Sequence, residues 1–278
     1  MRKFFHFLFF LLVSSLSQGQ NPVDKLVKEY SPNSWWLTLR YDQYLKTGSF
    51  FFFENNNRYN QKPTLGNSFP FNTNRTYLVV GYEQKASEKW YLGISEKYVT
   101  EANRNAPHEK YLFTRLNISH RGDLLKMKFI KELALEHIYD LKKSDNPNVI
   151  IENKGRVSFS PSLIKKINVH GRPLFLIFNY RAYLLFDFNK DDQSSYDKRQ
   201  VDQTRLRFEV DYRISDKVLL SLFAIRDTEY SYRLSVFDMN NNMLIEEARV
   251  NRITPAFGMS INFIVHAPEN FLPGFPIK

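Results

Sequence analysis

The chain has 278 residues, no cysteine, and 39 basic against 29 acidic residues, which gives a formal net charge of +10. The lack of cysteine excludes disulfides, thiolate metal sites and lipid attachment at an N-terminal cysteine. A mean hydropathy of −0.44 excludes a bundle of membrane helices, whereas 25 Phe and 16 Tyr with only 10 Gly favour β-strands.

The first residues have the pattern of a secretory signal. Arg2 and Lys3 precede the apolar run Phe4–Leu16, and Ser17 and Gly19 are the small residues of a cleavage site. Because this run is too short to span a membrane, we expect cleavage near Gly19 rather than an uncleaved anchor. Loss of Arg2 and Lys3 lowers the net charge from +10 to +8. A solvated surface and attraction to anionic lipid head groups both fit that charge.

A polar lead segment is followed by strand-like segments that come in pairs. The predicted pairs are Trp35–Tyr44 with Phe50–Tyr59, Thr76–Gln84 with Trp90–Tyr98, Tyr111–Ser119 with Leu124–Ile138, Arg156–Ile167 with Leu174–Phe188, and Thr204–Arg213 with Val218–Ala224, before a last run Ile253–Val265. Short turns rich in Gly, Asp or Ser join the two members of each pair, at residues 46–49, 86–88, 121–123, 168–172 and 214–217. Long polar loops separate the pairs. Short turns at one rim and long loops at the other are typical of outer-membrane barrels.

The segment Thr204–Arg213 shows the clearest alternation. Every second residue is apolar or neutral, and every residue between them is charged. Since successive side chains on a strand point to opposite faces, this strand has one apolar face and one ionic face. The ionic face does not suit a dry core, and the apolar face is too continuous for water. The pattern therefore predicts a wall between lipid and a wet interior.

A soluble β-sandwich is the competing architecture, since its strands alternate in the same way. Strands of ten or more residues match the length needed to cross a membrane at a tilt. Aromatic residues also gather beside the short turns, where an interfacial girdle would lie; examples are Tyr41, Tyr44, Tyr82, Trp90 and Tyr212. Both features favour the membrane.

We therefore predict an all-β fold, a transmembrane antiparallel up-and-down β-barrel with short periplasmic turns and long outer loops. Because single-chain bacterial barrels have even strand numbers, the eleven clear runs suggest about 12 strands, with 10 as the alternative. The lead segment would add the twelfth strand or thread the lumen, unless one pair is misread. The predicted organisation is a signal peptide at 1–19, the lead segment at 20–33, the barrel at 34–265 and a C-terminal tail at 266–278.

Three short motifs add a resemblance. They are Ser34-Trp35-Trp36-Leu37 in the first strand, Phe52-Phe53-Glu54 followed by Arg58, and the run Tyr-Arg-Ile-Ser-Asp-Lys at 212–217. With the signal peptide, these motifs make residues 34–265 similar to uncharacterised outer-membrane β-barrels of Gram-negative bacteria that are grouped as a domain of unknown function. The resemblance implies fold and location, because that family has no established activity. The C-terminus departs from the usual closing aromatic residue, since Phe263 is followed by a Pro-containing tail.

The polar positions that alternate with apolar ones predict a lumen filled by charge. Opposite charges on neighbouring strands lie close enough to pair, and guanidinium groups bind carboxylates with two hydrogen bonds. The predicted lumen charge network comprises Arg40, Asp42, Glu54, Arg115, Lys126, Lys128, Glu132, Glu136, Arg156, Arg181, Arg205, Arg207, Glu209, Asp211 and Arg213.

The sequence offers little for chemistry. Ser119 and His120 are neighbours, as are Glu136 and His137, so each pair points to opposite faces of its strand. His108 and His170 fall in a loop and a turn. The acidic pairs Glu132/Glu136 and Asp227/Glu229 share faces and are interpreted as salt links to Arg and Lys. We predict no catalytic residue, cofactor site or metal site, and no nucleic-acid binding, because basic and acidic residues are mixed.

The expected role is structural, a binding role or narrow transport of small solutes, in the cell outer membrane. A membrane-embedded enzyme that acts on lipid or cell-envelope substrates at the loop rim is the alternative. The expected partners are outer-membrane lipids and, during biogenesis, the barrel-assembly and periplasmic chaperone machinery. Fold alone does not name a substrate.

Overall fold

The computed structural model describes residues 26–60, 72–101, 109–141, 153–187, 201–233, 236–238, 243–245 and 248–266. The strands are β1 Leu26–Tyr30, β2 Ser34–Tyr44, β3 Phe50–Asn60, β4 Asn72–Lys85, β5 Trp90–Glu101, β6 Glu109–Leu124, β7 Met127–Asp140, β8 Asn153–Val169, β9 Arg172–Asp187, β10 Gln203–Ser215, β11 Val218–Arg233, β12 Val236–Asp238, β13 Met243–Ile245 and β14 Ala248–Val265. The predicted signal peptide, most of the predicted long loops with His108, and the tail beyond residue 266 lie outside the described residues. In the described ranges there is no helix long and apolar enough to cross a membrane.

Eleven strands close into a barrel. Strands β2 to β11 pair antiparallel with their neighbours in chain order, β14 follows β11, and β14 closes on β2. The prediction of an all-β barrel of about twelve strands is confirmed, since β1 adds a twelfth strand to the same sheet. The small hairpin of β12 and β13 forms a separate sheet.

The closing pair is parallel, unlike every other pair in the barrel wall. With eleven alternating strands, the first and the last run in the same direction, so they can pair only in parallel. The lead segment uses the same edge, because β1 pairs in parallel with residues 249–253 of β14 and β2 with residues 256–265. Strand β1 therefore extends the closing seam towards the long-loop rim.

Tight turns join the hairpins at one rim. Leu125 and Lys126 have φ values of 49° and 61°, and His170 and Gly171 have 50° and 76°. Positive φ at both central residues is the geometry of two-residue hairpin turns, whose twist matches that of the strands. The turn predicted at residues 121–123 is displaced, because β6 continues to Leu124. There the ladder hydrogen bonds outweigh the turn preference of the Arg-Gly-Asp segment.

The two faces of the wall differ as the alternation predicts. In β2, Ser34, Thr38 and Asp42 are buried, whereas Trp35 and Leu39 are exposed. The same inversion runs around the barrel, so large apolar side chains cover the outside while charged side chains are buried inside. A water-soluble domain has the opposite arrangement.

Candidate functional site

A large apolar cluster lies in the half of the interior near the short turns, beside buried charges such as Asp42, Glu83 and Asp211. The cluster consists of buried side chains from eight of the eleven barrel strands: Tyr44, Phe50, Phe52, Val79, Ile130, Ile164, Phe175, Ile177, Leu219 and Ile264. Tyr44 stacks on Phe50 with ring centroids 4.9 Å apart. These inward side chains are only 1–5% exposed, so they pack closely against one another and their surroundings. We call this cluster the apolar layer.

An ionic network links four strands near the middle of the barrel. Arg115 of β6 donates to Glu136 at 2.7 Å and to Glu132 at 2.6 Å, both on β7. Arg181 of β9 donates to Glu132 at 3.1 Å, and Arg156 of β8 donates to Glu136 through Nε at 2.8 Å and also through Nη2. Each carboxylate thus lies between two guanidinium groups, which compensates its burial.

A second ionic group lies beside the closing seam. Arg40 contacts Asp42 at 2.8 Å and Glu54 at 3.5 Å, and the Asn262 amide donates to Asp42 at 2.9 Å. This contact joins β2 to β14 through side chains as well as through the backbone ladder. The Arg40 guanidinium also lies 4.7 Å from the ring centroid of Phe52, so this ionic group contacts the apolar layer.

Strands β10 and β11 carry the third ionic group. Arg205 binds Asp227 with two hydrogen bonds, of 2.6 and 2.7 Å, and Arg207 donates to Glu209 at 2.7 Å. Asp211 is also buried and belongs to the same inward face. The two hydrogen bonds of the Arg205–Asp227 pair fix the relative orientation of the two side chains and strengthen their interaction.

The structure thus brings most of the predicted lumen charges into the interior. Arg40, Asp42, Glu54, Arg115, Glu132, Glu136, Arg181, Arg205, Arg207, Glu209 and Asp211 are buried, and Arg156 is half-buried.

The remaining three lie at the short-turn rim. Lys126 is in the β6–β7 turn, and Lys128 forms an exposed pair with Asp123 at 2.6 Å. Arg213 is half-buried and donates to the carbonyls of Ser215 and Asp216. The assignment of Lys126 and Lys128 to the interior network is therefore corrected, because inward parity does not fix the height of a side chain along the barrel.

Several interior residues were missed by the sequence analysis. Lys97 is buried, Arg58 is half-buried against aromatic rings, and Arg121 pairs with buried Glu83 at 3.0 Å. The alternation carried the signal, since the outward set Trp90, Leu92 and Ile94 leaves Lys97 on the opposite face of β5.

A cavity of about 460 Å³ lies inside the barrel at the long-loop end, where members of two of the ionic groups form part of its wall. Small-molecule sites are commonly of this size. Its walls combine aromatic rings with basic side chains and a smaller number of acidic ones. The aromatic residues are Trp36, Tyr77, Phe113 and Tyr183; the basic ones are Arg58, Arg75, Lys97, Arg156, Arg205 and Arg252; and the acidic ones are Glu101, Asp227 and Glu229.

The residues considered for catalysis do not converge on this cavity. Ser119 is buried inside the barrel, whereas the His120 ring packs edge-on against Trp90 on the wall, with centroids 4.8 Å apart. Glu136 is buried and His137 is exposed. Within the described ranges there is no group of three or more His, Cys, Asp or Glu residues that could hold a metal ion.

The fold and its interior define a closed β-barrel with an apolar exterior, an ionic centre and a cavity at the long-loop end. Comparisons with protein-family models, curated proteins and solved structures find no match.

Proposed function

We propose that the protein is an outer-membrane β-barrel that binds a ligand at its long-loop end and does not conduct solutes. The observation that carries the proposal is the inverted wall, closed inside by the apolar layer. Exposed side chains such as Trp35, Leu37, Phe51 and Phe208 form an outer surface that water would penalise and lipid would favour.

The outer membrane is the location that the sequence supports. The predicted signal peptide would export the chain, and strand-crossing barrels with short periplasmic turns and long outer loops are typical of that membrane. The resemblance to uncharacterised outer-membrane barrels supports the same location. In this orientation the cavity opens towards the cell exterior.

Binding is favoured over transport because buried apolar and ionic side chains together fill much of the interior. A conducting lumen needs a continuous wet path, whereas Phe50, Phe175 and Leu219 are each 1% exposed in the apolar layer. The ionic groups are paired side chain to side chain, and the cavity is an open part of the interior at the long-loop end.

Cell fractionation and planar-bilayer recording test the proposal. The mature protein should appear in the outer-membrane fraction with heat-modifiable gel mobility, and the wild-type barrel should show no steady conductance. Recovery in the soluble periplasmic fraction without detergent would refute the location. Large, steady conductance would refute the closed lumen.

Strand β3 offers a matched pair of variants, since Phe50 and Phe52 point into the barrel while Phe51 and Phe53 point outward. Removing the inward rings in Phe50→Ala/Phe52→Ala should produce conductance, because it opens the apolar layer. Phe51→Ala/Phe53→Ala removes the same number of rings from the outer face and should stay silent. Heat-modifiable mobility shows whether each variant is folded.

A further inference from the structure

Two basic side chains in the cavity wall form no salt bridge with a described carboxylate, although Lys97 interacts at longer range with Glu136 and Arg58 with Asp227. Four of the six basic residues of the wall are paired: Arg75 with Glu101 at 2.7 Å, Arg205 with Asp227 at 2.6 Å, Arg252 with Glu29 at 3.5 Å, and Arg156 with Glu136. Arg58 and Lys97 contact only aromatic rings among the described residues. The Arg58 Nε is buried, and no described residue accepts a hydrogen bond from it.

Aromatic rings hold both cations in place. The Arg58 guanidinium lies 3.6 Å from the ring centroid of Trp36 and 4.2 Å from that of Tyr77. The Lys97 ammonium lies 4.0 Å from the centroid of Phe113 and 6.0 Å from that of Tyr77. Because both cations contact the Tyr77 ring, the two charges are at most about 10 Å apart, the sum of their distances to that centroid. One small molecule can therefore reach both.

The aromatic contacts do not replace an anion. A cation–π contact contributes roughly 0.5 to 2 kcal/mol, whereas the effective cost of desolvating an ion in a protein is several kcal/mol. Because Lys97 is only 7% exposed, contact with water does not offset the remaining cost of desolvating its ammonium group. An anion placed in the cavity would gain two charge-assisted contacts without breaking any of the four existing pairs.

We propose that the cavity binds a small organic dianion whose body is aromatic or otherwise flat. The two cations that form no salt bridge set the charge of the ligand, and the rings of Trp36, Tyr77 and Phe113 beside them provide apolar contact for its body. Phosphate monoesters and dicarboxylates share this chemistry, since the guanidinium fork matches both groups. This inference rests on the proposed binding role and specifies its ligand.

The test compares three probes on the detergent-solubilised full-length barrel. Phenyl phosphate offers both a dianion and a ring, inorganic phosphate offers the charge alone, and phenol offers the ring alone. We expect affinity by isothermal titration to fall in that order, and phthalate in a fourth arm separates carboxylate from phosphate recognition. The inference would be overturned if phenol bound as tightly as phenyl phosphate, or if neither phenyl phosphate nor phthalate bound.

Variants locate the binding. Arg58→Gln and Lys97→Met should each weaken phenyl phosphate at least tenfold, because each removes one charge-assisted contact. Lys128→Met is the matched control, since it removes the same charge at the opposite rim from an exposed pair and should leave the affinity unchanged. Equal weakening by Lys97→Met and Lys128→Met would reduce the effect to net charge and refute the site.

Trp36 gives a binding signal in the wild-type barrel, which does not depend on the folding of Arg58→Gln or Lys97→Met. Its ring is 4% exposed and contacts Arg58, whereas Trp35 and Trp90 face outward. Phenyl phosphate should change the tryptophan fluorescence of the wild-type barrel, and Trp36→Phe should abolish that change. A signal that survives in Trp36→Phe would place the ligand elsewhere. Binding is measured in detergent and conductance in a planar bilayer. A negative binding result would therefore refute the ligand class without refuting the closed lumen, and the reverse also holds.

Discussion

Removing Arg115 should destabilise the barrel more than removing any exposed charge. Arg115 is 2% exposed, and its two terminal nitrogens donate to Glu136 at 2.7 Å and to Glu132 at 2.6 Å. Arg115→Met keeps a similar volume and deletes both hydrogen bonds. Each charge-assisted bond contributes roughly 1.5 to 3 kcal/mol, so the expected loss is about 3 to 5 kcal/mol, the range found when a buried ion pair loses one partner.

The two glutamates explain why the loss should not be larger. Arg181 remains on Glu132 and Arg156 remains on Glu136, so each carboxylate keeps one guanidinium. Neutralising one carboxylate should therefore restore part of the stability, and Arg115→Met/Glu132→Gln is expected to be less destabilised than the two single changes added together. Such non-additivity is typical of residues that share one network.

Urea unfolding in detergent micelles, followed by loss of heat-modifiable mobility, measures the effect. The control is Lys128→Met, whose partner Asp123 is 71% exposed; an exposed pair of this kind contributes about 0 to 1 kcal/mol. If Arg115→Met unfolds at the same urea concentration as Lys128→Met, the interior charges are merely solvated and the network has no structural role.

Two further predictions concern packing and topology. Gly258→Ala should lower the free energy of unfolding by about 1 to 3 kcal/mol, because a Cβ there would lie 2.3 Å from the Phe223 ring and 2.6 Å from the Trp36 carbonyl oxygen. Gly122→Ala is the control, since its Cβ would meet nothing nearer than His120 at 3.3 Å, and equal unfolding midpoints for the two variants would refute the prediction. An epitope inserted at Asp216, in the short β10–β11 turn, should stay hidden on intact cells and become detectable after permeabilisation, and detection on intact cells would reverse the orientation.

Short-range alternation determined the strands, their faces and the two unlike rims. Residues 204–213 were sufficient to separate an apolar from an ionic face, and Arg205, Arg207, Glu209 and Asp211 are all buried on the inward side. These features follow from a period of two residues, which a single segment displays without its neighbours. The pairing within each hairpin also followed from the sequence, because a short turn can join a strand only to the strand that folds back beside it.

The height of each side chain in the barrel was decided only by the tertiary structure. Parity placed Lys128 and Glu132 on one face, yet Lys128 is exposed at the rim and Glu132 lies in the ionic network. Height depends on register and stagger around the whole barrel, which no single strand encodes. The apolar layer was missed for the same reason, since Phe50 and Phe175 are far apart in sequence and become one layer only on closure.

Closure itself also depended on the complete sheet. Each strand in isolation is compatible with antiparallel pairing, and only the odd number of wall strands forces the parallel seam between β14 and β2. The cavity depends on that seam, because Trp36 on β2 meets Arg58 on β3 and faces Arg205 from β10 at 5.4 Å across the interior. The sequence by itself thus determined a wall with an apolar and an ionic side, and the closing of the wall decided which of the inward charges form salt bridges.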